Sequence, residues 1–252
     1  MYYCSRAIII KTMDLRETDK LVTLFSEKEG KIKAVAKGVK KPASSLRACV
    51  QPFCHSLLFF SSGRELDLIT QGKLLDFYSN IREHIDLILY SVYIMELLDK
   101  NLMERVSLPG LYVDVLSVLE YINDIGYNPL AIRFLEMNLL KNLGYQPVLD
   151  ECVFCGRKGG LLRNFSIEAG GTVCDMCVKC TAKNFPLSGE LLALIRLLGS
   201  KNLKTVSRVK ATDATLQQLE IFLEKYLEYH LERKFSVKNM ISKLKHNRLR
   251  IT

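Results

Sequence analysis

The chain has 252 residues, of which 48% are hydrophobic, so it can bury a substantial core in roughly one to three domains. No apolar run approaches the roughly 18–20 residues that a membrane-spanning helix requires. The first residues lack the cationic start and long apolar stretch of a secretory signal. We therefore expect a soluble cytoplasmic protein in a reducing compartment, without a membrane partner.

The formal net charge of +9 is concentrated at the two ends of the chain. Residues 1–80 carry 13 basic and 8 acidic side chains, and residues 201–252 carry 12 and 5. The middle, residues 81–200, is slightly acidic, with 11 basic and 14 acidic side chains. Two basic ends favour a polyanionic partner such as nucleic acid, although many basic proteins only have solvated basic faces.

Short apolar runs separated by turn signals fill the first 78 residues. Several alternate with a period of two, which is typical of half-buried strands. Five strands are predicted, at Ser5–Lys11, Lys20–Phe25, Lys31–Val35, Phe53–Phe60 and Glu65–Thr70. Five short strands in so short a segment favour a small barrel such as an OB-fold. A helical interpretation is weaker, because turn signals are frequent.

Basic residues cluster on the third predicted strand and in the segment that follows it. Lys31 and Lys33 are two residues apart, so a strand places both side chains on one face. The next segment, Lys37–Arg47, contains Gly, Pro and Ser and no acid, so we expect a flexible loop that does not pack. Together they predict a groove that follows a phosphate backbone, with a merely solvated loop as the alternative. The candidate nucleic-acid-binding residues are Lys31, Lys33, Lys37, Lys40, Lys41 and Arg47.

The apolar periodicity becomes helical after about Tyr78, which predicts helix-on-helix packing. The first two predicted stripes are Ile81, Ile85, Ile88, Val92 and Met95, and Leu111, Val115, Val118, Ile122 and Ile125. Later helices are expected to begin at Asn128, at Ser188, and at Thr212 or Asp213, because these side chains cap helix N-termini.

Two Cys-x-x-Cys pairs, separated by eighteen residues, interrupt the helical part. They consist of Cys152, Cys155, Cys174 and Cys177. This spacing predicts a structural zinc site, because four thiolates complete a tetrahedron and leave no open position for water or substrate. Glycines that suit tight turns, Gly156 and Gly170–Gly171, flank the pairs. Four reduced buried cysteines, disulfides and a redox dithiol are the alternatives, and Cys180 is expected to be a spare thiol.

We therefore predict an α+β protein with two domains. Residues 1–78 would form an OB-fold that binds nucleic acid, which the family resemblance described below implies to be DNA. Residues 79–252 would form an α-helical domain with a zinc-binding insertion at about residues 150–182. The tail, Arg233–Arg250, holds seven Lys and Arg residues and no acid, so it either binds phosphate or extends into water.

Several short motifs, in order along the chain, resemble those of the bacterial recombination mediator family RecO. Each motif is weak by itself, and their order and spacing carry the resemblance over nearly the whole chain. They are Glu17–Phe25 followed by Gly30, Ala36–Lys41, Leu46–Phe53, Phe134–Tyr145 and Gly170–Gly171. Val50 stands where leucine is more usual in the family. Some members lack the cysteines, so this chain resembles the zinc-bearing branch.

The resemblance implies a non-enzymatic protein of DNA repair, recombination and the SOS/RecF pathway, associated with the nucleoid. It implies binding to single- and double-stranded DNA and annealing of complementary strands. It also implies binding to RecR, contact with the acidic C-terminal tail of single-strand-binding protein (SSB), and assistance in loading RecA. The six basic candidates would then neutralise the two DNA backbones during annealing.

Two other classes of function remain as alternatives. The first alternative is an enzyme. The chain has no His-Glu-x-x-His, no phosphate-binding glycine loop with Lys and Ser/Thr, and no Gly-x-Ser-x-Gly, so it lacks these enzyme signatures. A zinc-containing RNA-binding or transcription-associated module is the second alternative, and competition between RNA and single-stranded DNA would distinguish it.

Overall fold

A computed structural model of the chain describes residues 1–159, 162–181, 184–237 and 241. These residues form two compact units. The first comprises residues 1–127 together with the described residues from Phe235 onward, and the second comprises Asn128–Lys234. The domain boundary expected after residue 78, where strands give way to helices, stays a prediction.

The first unit begins with a closed five-stranded barrel. Its strands are β1 (Tyr2–Asp14), β2 (Lys20–Ser26), β3 (Gly30–Ala36), β4 (His55–Ser61) and β5 (Asp67–Asp76). They are joined in the order β1-β2-β3-β5-β4, and β4 pairs with β1 to close the barrel. The pairing of β3 with β5 is parallel, whereas the other pairings are antiparallel. This small Greek-key barrel is an OB-fold, so the predicted fold is confirmed.

Alternate residues of the strands fill the barrel with small and branched apolar side chains. The short helix α1 (Leu46–Cys49) lies between β3 and β4 in the sequence and contributes Leu46 and Cys49 to the same core. On β1 the residues from Ala7 to Ile10 are all buried, because helices of the first unit cover the outer face there. On the neighbouring strand β2, Phe25 pairs with Ile8 of β1, and its ring meets the Tyr112 ring edge-on at a centroid distance of 5.6 Å.

Three helices complete the described part of the first unit: α2 (Ser79–Glu83), α3 (Ile85–Asn101) and α4 (Pro109–Asp124). Pro109 occupies the first turn of α4, as predicted, where a missing amide hydrogen costs nothing. None of the helices in the described residues is long and apolar enough to cross a membrane.

The predicted apolar stripe of α3 was wrong in part. Ile85 is 58% exposed, whereas the neighbouring Leu87, Tyr90 and Ile94 are buried. The helix is apolar on most of its circumference, so periodicity alone does not select the buried face. The stripe of α4 is confirmed from Leu111 to Ile122, but Ile125 lies beyond the helix and is exposed.

The second unit is helical except for a small three-stranded sheet. Its helices are α5 (Pro129–Asn142), α6 (Gly189–Ser200), α7 (Leu203–Val206) and α8 (Asp213–Leu231). The predicted N-caps are confirmed: Asn128, Ser188 and Thr212 each accept a hydrogen bond from a backbone amide in the first turn. The sheet lies in the sequence between α5 and α6 and carries the cysteine pairs.

Candidate metal centre and nucleic-acid interface

The cysteine segment (residues 151–186) contains three short strands, β6 (Asn164–Ser166), β7 (Gly171–Val173) and β8 (Asn184–Pro186), paired in the order β7-β6-β8. The first cysteine pair precedes β6, and the second pair follows β7 directly. Phe165 of β6 packs edge-on against Phe222 and Tyr226 of α8, which anchors the sheet to the helices of the second unit. The segment therefore has a fixed base and two turns that carry the thiols.

The four predicted ligands come together in space. The sulfur atoms of Cys152, Cys155, Cys174 and Cys177 all lie within 4.8 Å of one another. The Sγ atoms of Cys155 and Cys174 are 3.8 Å apart. Zinc–sulfur bonds of about 2.3 Å in a tetrahedron place the sulfurs about 3.8 Å apart, so this spacing fits a four-thiolate metal site. The cysteines are free thiols, and a disulfide would need a sulfur–sulfur distance of about 2.05 Å.

Tight backbone turns aim the sulfurs at one point. The amide of Gly156 donates to the carbonyl of Cys152 at 2.8 Å, and Gly156 has a φ of 70°, which glycine adopts without strain. At the start of β7, a Cβ on Gly171 would lie 2.3 Å from Val153 Cγ1 and 2.8 Å from the carbonyl oxygen of Val148, so only glycine fits. The glycines that the sequence singled out therefore have physical reasons, a positive φ in one case and close approach in the other.

The surroundings of the thiols shift the pKa values of Cys152 and Cys177 in opposite directions. Burial opposes ionisation of Cys152, but hydrogen bonds from the backbone amides of Cys174, Cys155 and Phe154 outweigh it and lower its pKa to about 6. Hydrogen bonds to the sulfurs of Cys174 and Cys155 raise the pKa of Cys177 instead. The thiolate of Cys152, which is the form that binds metal, is thus favoured, and metal binding would displace the proton of Cys177.

Cys180 is separate from the cluster. It is exposed at the end of a single 3-10 turn, Val178–Cys180, and its amide donates to the carbonyl of Cys177. It is not among the four cysteines whose sulfurs converge.

The structure departs further from the sequence-based predictions for the six candidate nucleic-acid-binding residues than for the cysteines. Lys31 is buried, and its ammonium group donates to the carbonyl oxygens of Asp99 and Leu102 at the C-terminal end of α3. A cation there satisfies carbonyl groups that have no partner within the helix. Lys31 would have to abandon these bonds to reach a phosphate, so we remove it from the proposed DNA-contacting set and assign it a structural role.

Two further candidates, Lys33 and Lys40, are half-buried and already paired with acids. Lys33 forms an ion pair with Glu104 at 2.5 Å, and Lys40 forms one with Asp14 at 2.7 Å. Sequence reasoning missed both acids, since neither is near its partner in the chain and no local pattern joins them. Such partly exposed pairs are weak, so a phosphate can replace the carboxylate.

The remaining candidates, Lys37, Lys41 and Arg47, are exposed and form no ion pair with any described residue. Their loop is more ordered than expected. Val39 is only 2% exposed and belongs to the barrel core, and the Asp19 carboxylate accepts the amide of Gly38 at 2.8 Å. The expectation of an unpacked loop was therefore wrong, and the three cations stand on a fixed backbone.

Most of the predicted basic tail, Arg233–Arg250, lies outside the described residues.

Comparison with known proteins shows which family the chain belongs to. The family description "Recombination protein O N terminal" matches residues 1–78, and "Recombination protein O C terminal" matches residues 82–238. A "DNA repair protein RecO" from Syntrophomonas wolfei is 59% identical over 245 residues, which cover 97% of this chain and 98% of that protein. The chain belongs to the RecO family.

Other RecO proteins are more distant but span similar lengths. That of Oceanobacillus iheyensis is 37% identical over 223 residues, covering 88% of this chain and 86% of the relative. That of Bacillus subtilis is 32% identical over 244 residues, covering 95% and 94%. The resemblance found in the sequence is confirmed. The N-terminal family match contains the segment Lys37–Arg47, called the basic loop from here on, and the C-terminal match contains the four cysteines.

Proposed function

We propose that this chain is a non-enzymatic DNA repair and recombination mediator that binds single- and double-stranded DNA and anneals complementary strands. The observation that carries the proposal is membership of the RecO family over both halves of the chain. The geometry supports it, because an OB-fold presents exposed cations from a fixed loop.

Annealing requires no bond chemistry. Two phosphate backbones repel each other, and a protein that neutralises both allows the strands to meet. Lys37, Lys41 and Arg47 supply positive charge and form no ion pair with a described carboxylate, and Lys33 and Lys40 add charge when phosphate replaces Glu104 and Asp14. The proposal therefore needs only binding and charge compensation.

The proposed partners follow from the family resemblance. They are RecR, the acidic C-terminal tail of SSB, and RecA, which would be loaded onto SSB-coated DNA with the help of this protein and RecR. We propose a nucleoid-associated location in the cytoplasm for the same reason.

A structural zinc ion, Zn²⁺, is the metal that we propose for the cysteine cluster. Cys152, Cys155, Cys174 and Cys177 would hold it. Bound there, the ion would cross-link the two turns and replace a core that so short a segment cannot build.

Replacing Lys37, Lys40 and Lys41 by glutamine tests the DNA-binding proposal. Salt-dependent titration with a labelled single strand should show weaker binding and a log–log slope smaller by about 2, because each lost phosphate contact contributes about 0.7. Lys201, Lys204 and Lys210 are exposed lysines of the second unit, and their replacement is a control with the same charge change.

Equal affinity and slope for the loop variant and the control variant would show that the loop does not contact DNA. An RNA strand of the same sequence, used as competitor, distinguishes DNA binding from an RNA-binding function. Stronger competition by RNA than by DNA would overturn the proposal.

A further inference from the structure

The outward face of the barrel at strands β1, β4 and β5 carries two exposed aromatic rings. Tyr2 is 79% exposed and Phe59 is 39% exposed. Tyr2 pairs with Ser61, and Phe59 pairs with Cys4, so the two aromatic residues are diagonal neighbours on adjacent strands. Diagonal neighbours are about 7–8 Å apart, which is within reach of aromatic side chains.

These rings are not needed for the core. The next residues along each strand, Tyr3 and Phe60, point to the opposite face and stack on each other with centroids 4.8 Å apart. Burial also differs along β1, since Ala7–Ile10 are buried on both faces, whereas Tyr2 is exposed. The aromatic pair therefore occupies a part of the barrel that the described residues leave uncovered.

A row of cations lies beside the aromatic row. Arg6 of β1 pairs with Leu57 of β4, which in turn pairs with Lys73 of β5. Arg6 and Lys73 are exposed, and neither forms an ion pair with a described residue. The exposed residue that pairs with Phe59 on β5 is Gln71, so this row adds no negative charge.

Two exposed rings with cations beside them complement a single DNA strand. Every unpaired base offers a flat face that stacks on an aromatic ring, while the phosphates need positive charge. In a duplex the faces of the bases are covered by their neighbours, so such a surface distinguishes single strands from duplexes. A fixed phosphate-binding loop alone does not make this distinction.

We propose that Tyr2, Phe59, Arg6 and Lys73 form a stacking face that binds unpaired bases of single-stranded DNA. The proposal deepens the proposed function and rests on it. The two rings stack on bases, and Arg6 and Lys73 bind the phosphates that link those bases. The basic loop supplies the remaining charge, and the stacking face supplies the preference for single strands.

The test compares a dT oligonucleotide with an abasic strand of the same length. The two strands carry the same phosphates, so only base contacts separate them. The wild-type protein should bind dT about tenfold or more tightly than the abasic strand, given the usual strength of base–aromatic stacking. The variant with Tyr2→Ala and Phe59→Ala should lose this preference and bind the abasic strand like the wild type.

A matched control changes two exposed aromatics of the second unit, Tyr145→Ala and Tyr229→Ala, which are 40% and 50% exposed. This control should keep the preference for dT. A direct readout is also available, because the chain has no tryptophan. The Phe59→Trp variant carries a single tryptophan, whose emission dT should quench and the abasic strand should not.

The outcomes separate the two proposals. If the wild type binds neither strand, DNA binding itself is overturned. If it binds both strands equally, or if the Tyr2→Ala and Phe59→Ala variant keeps the preference, only the stacking face is overturned. Unquenched emission from Phe59→Trp in a protein that binds dT has the same meaning.

Discussion

At the scale of single residues, Asp67 fastens several parts of the first unit together. Its buried carboxylate accepts hydrogen bonds from the Tyr3 hydroxyl at 2.6 Å, the Arg105 guanidinium at 2.9 Å and the Gly63 amide at 3.1 Å. These donors belong to β1, to the segment after α3 and to the turn before β5. One carboxylate thus holds three chain segments that are remote in sequence.

Asp67→Asn should destabilise the protein most clearly near neutral pH. Burial alone would raise the pKa of Asp67, but the bonds from Tyr3, Gly63 and Arg105 outweigh it and lower the pKa below its ordinary 3.8. A lowered pKa contributes stability above pH 4 that disappears as the pH falls through the folded-state value. We expect a loss of about 1–3 kcal/mol at pH 7, measured by denaturant unfolding.

The difference between the Asp67→Asn variant and the wild type should shrink as the pH falls below about 4, because both then lack the charge. A difference that stays constant down to pH 2.5 would show that the Asp67 charge does not contribute.

Asp14 restrains one lysine of the basic loop. Its hydrogen bond with Lys40 lowers the pKa of Asp14, which favours the charged carboxylate that holds the lysine. Asp14→Asn should release Lys40 and tighten binding of a single strand about two- to fivefold at low salt, since partly exposed pairs are weak. Glu83→Gln removes one exposed negative charge elsewhere in the first unit and is the control. Equal affinities for the two variants would contradict this role of Asp14.

At the scale of elements, the cysteine segment should depend on its metal. Cys155→Ser should lower the metal content from one ion per chain to near zero, because three thiolates do not complete the tetrahedron. Amide hydrogen exchange should then increase across residues 151–186 but not in β1–β5. Cys180→Ser should keep both the metal and the protection. Full metal content and unchanged exchange in Cys155→Ser would contradict the structural role.

The elements show which features the sequence could predict. The caps Asn128, Ser188 and Thr212 were predictable, because each bonds an amide two or three residues away. The cysteine cluster was predictable for a similar reason, since the spacing within each pair is local. The role of Lys31 was not, because its partners Asp99 and Leu102 are 68 and 71 residues away.

The exposure of Tyr2 and Phe59, the aromatic pair of the stacking face, was not predictable from the sequence either. The first predicted strand begins at Ser5 and does not include Tyr2 or Tyr3, whereas β1 begins at Tyr2. Which face is the core, and which of the outer faces a helix covers, depends on packing that the alternation along a strand does not contain. The sequence therefore does not show that Tyr2 and Phe59 are exposed while Phe60 is buried.

At the scale of the whole molecule, the described chain leaves the first unit after Tyr127 and returns to it at Phe235. The described start of the tail, Phe235 to Val237, belongs to the first unit with the barrel. Glu96 of α3 accepts the backbone amides of Ser236 at 2.9 Å and Val237 at 3.0 Å. Phe235 lies edge-on to Tyr93 with ring centroids 6.1 Å apart. Residues remote in sequence from the barrel thus take part in packing the first unit.

Strand annealing tests the central claim most directly. Two complementary labelled oligonucleotides, coated with the cognate SSB, are mixed with and without the protein at two salt concentrations. We predict that the protein accelerates duplex formation, that higher salt weakens the effect, and that the variant with Lys37, Lys40 and Lys41 replaced loses most of it. No acceleration by a folded, metal-loaded protein would contradict the account.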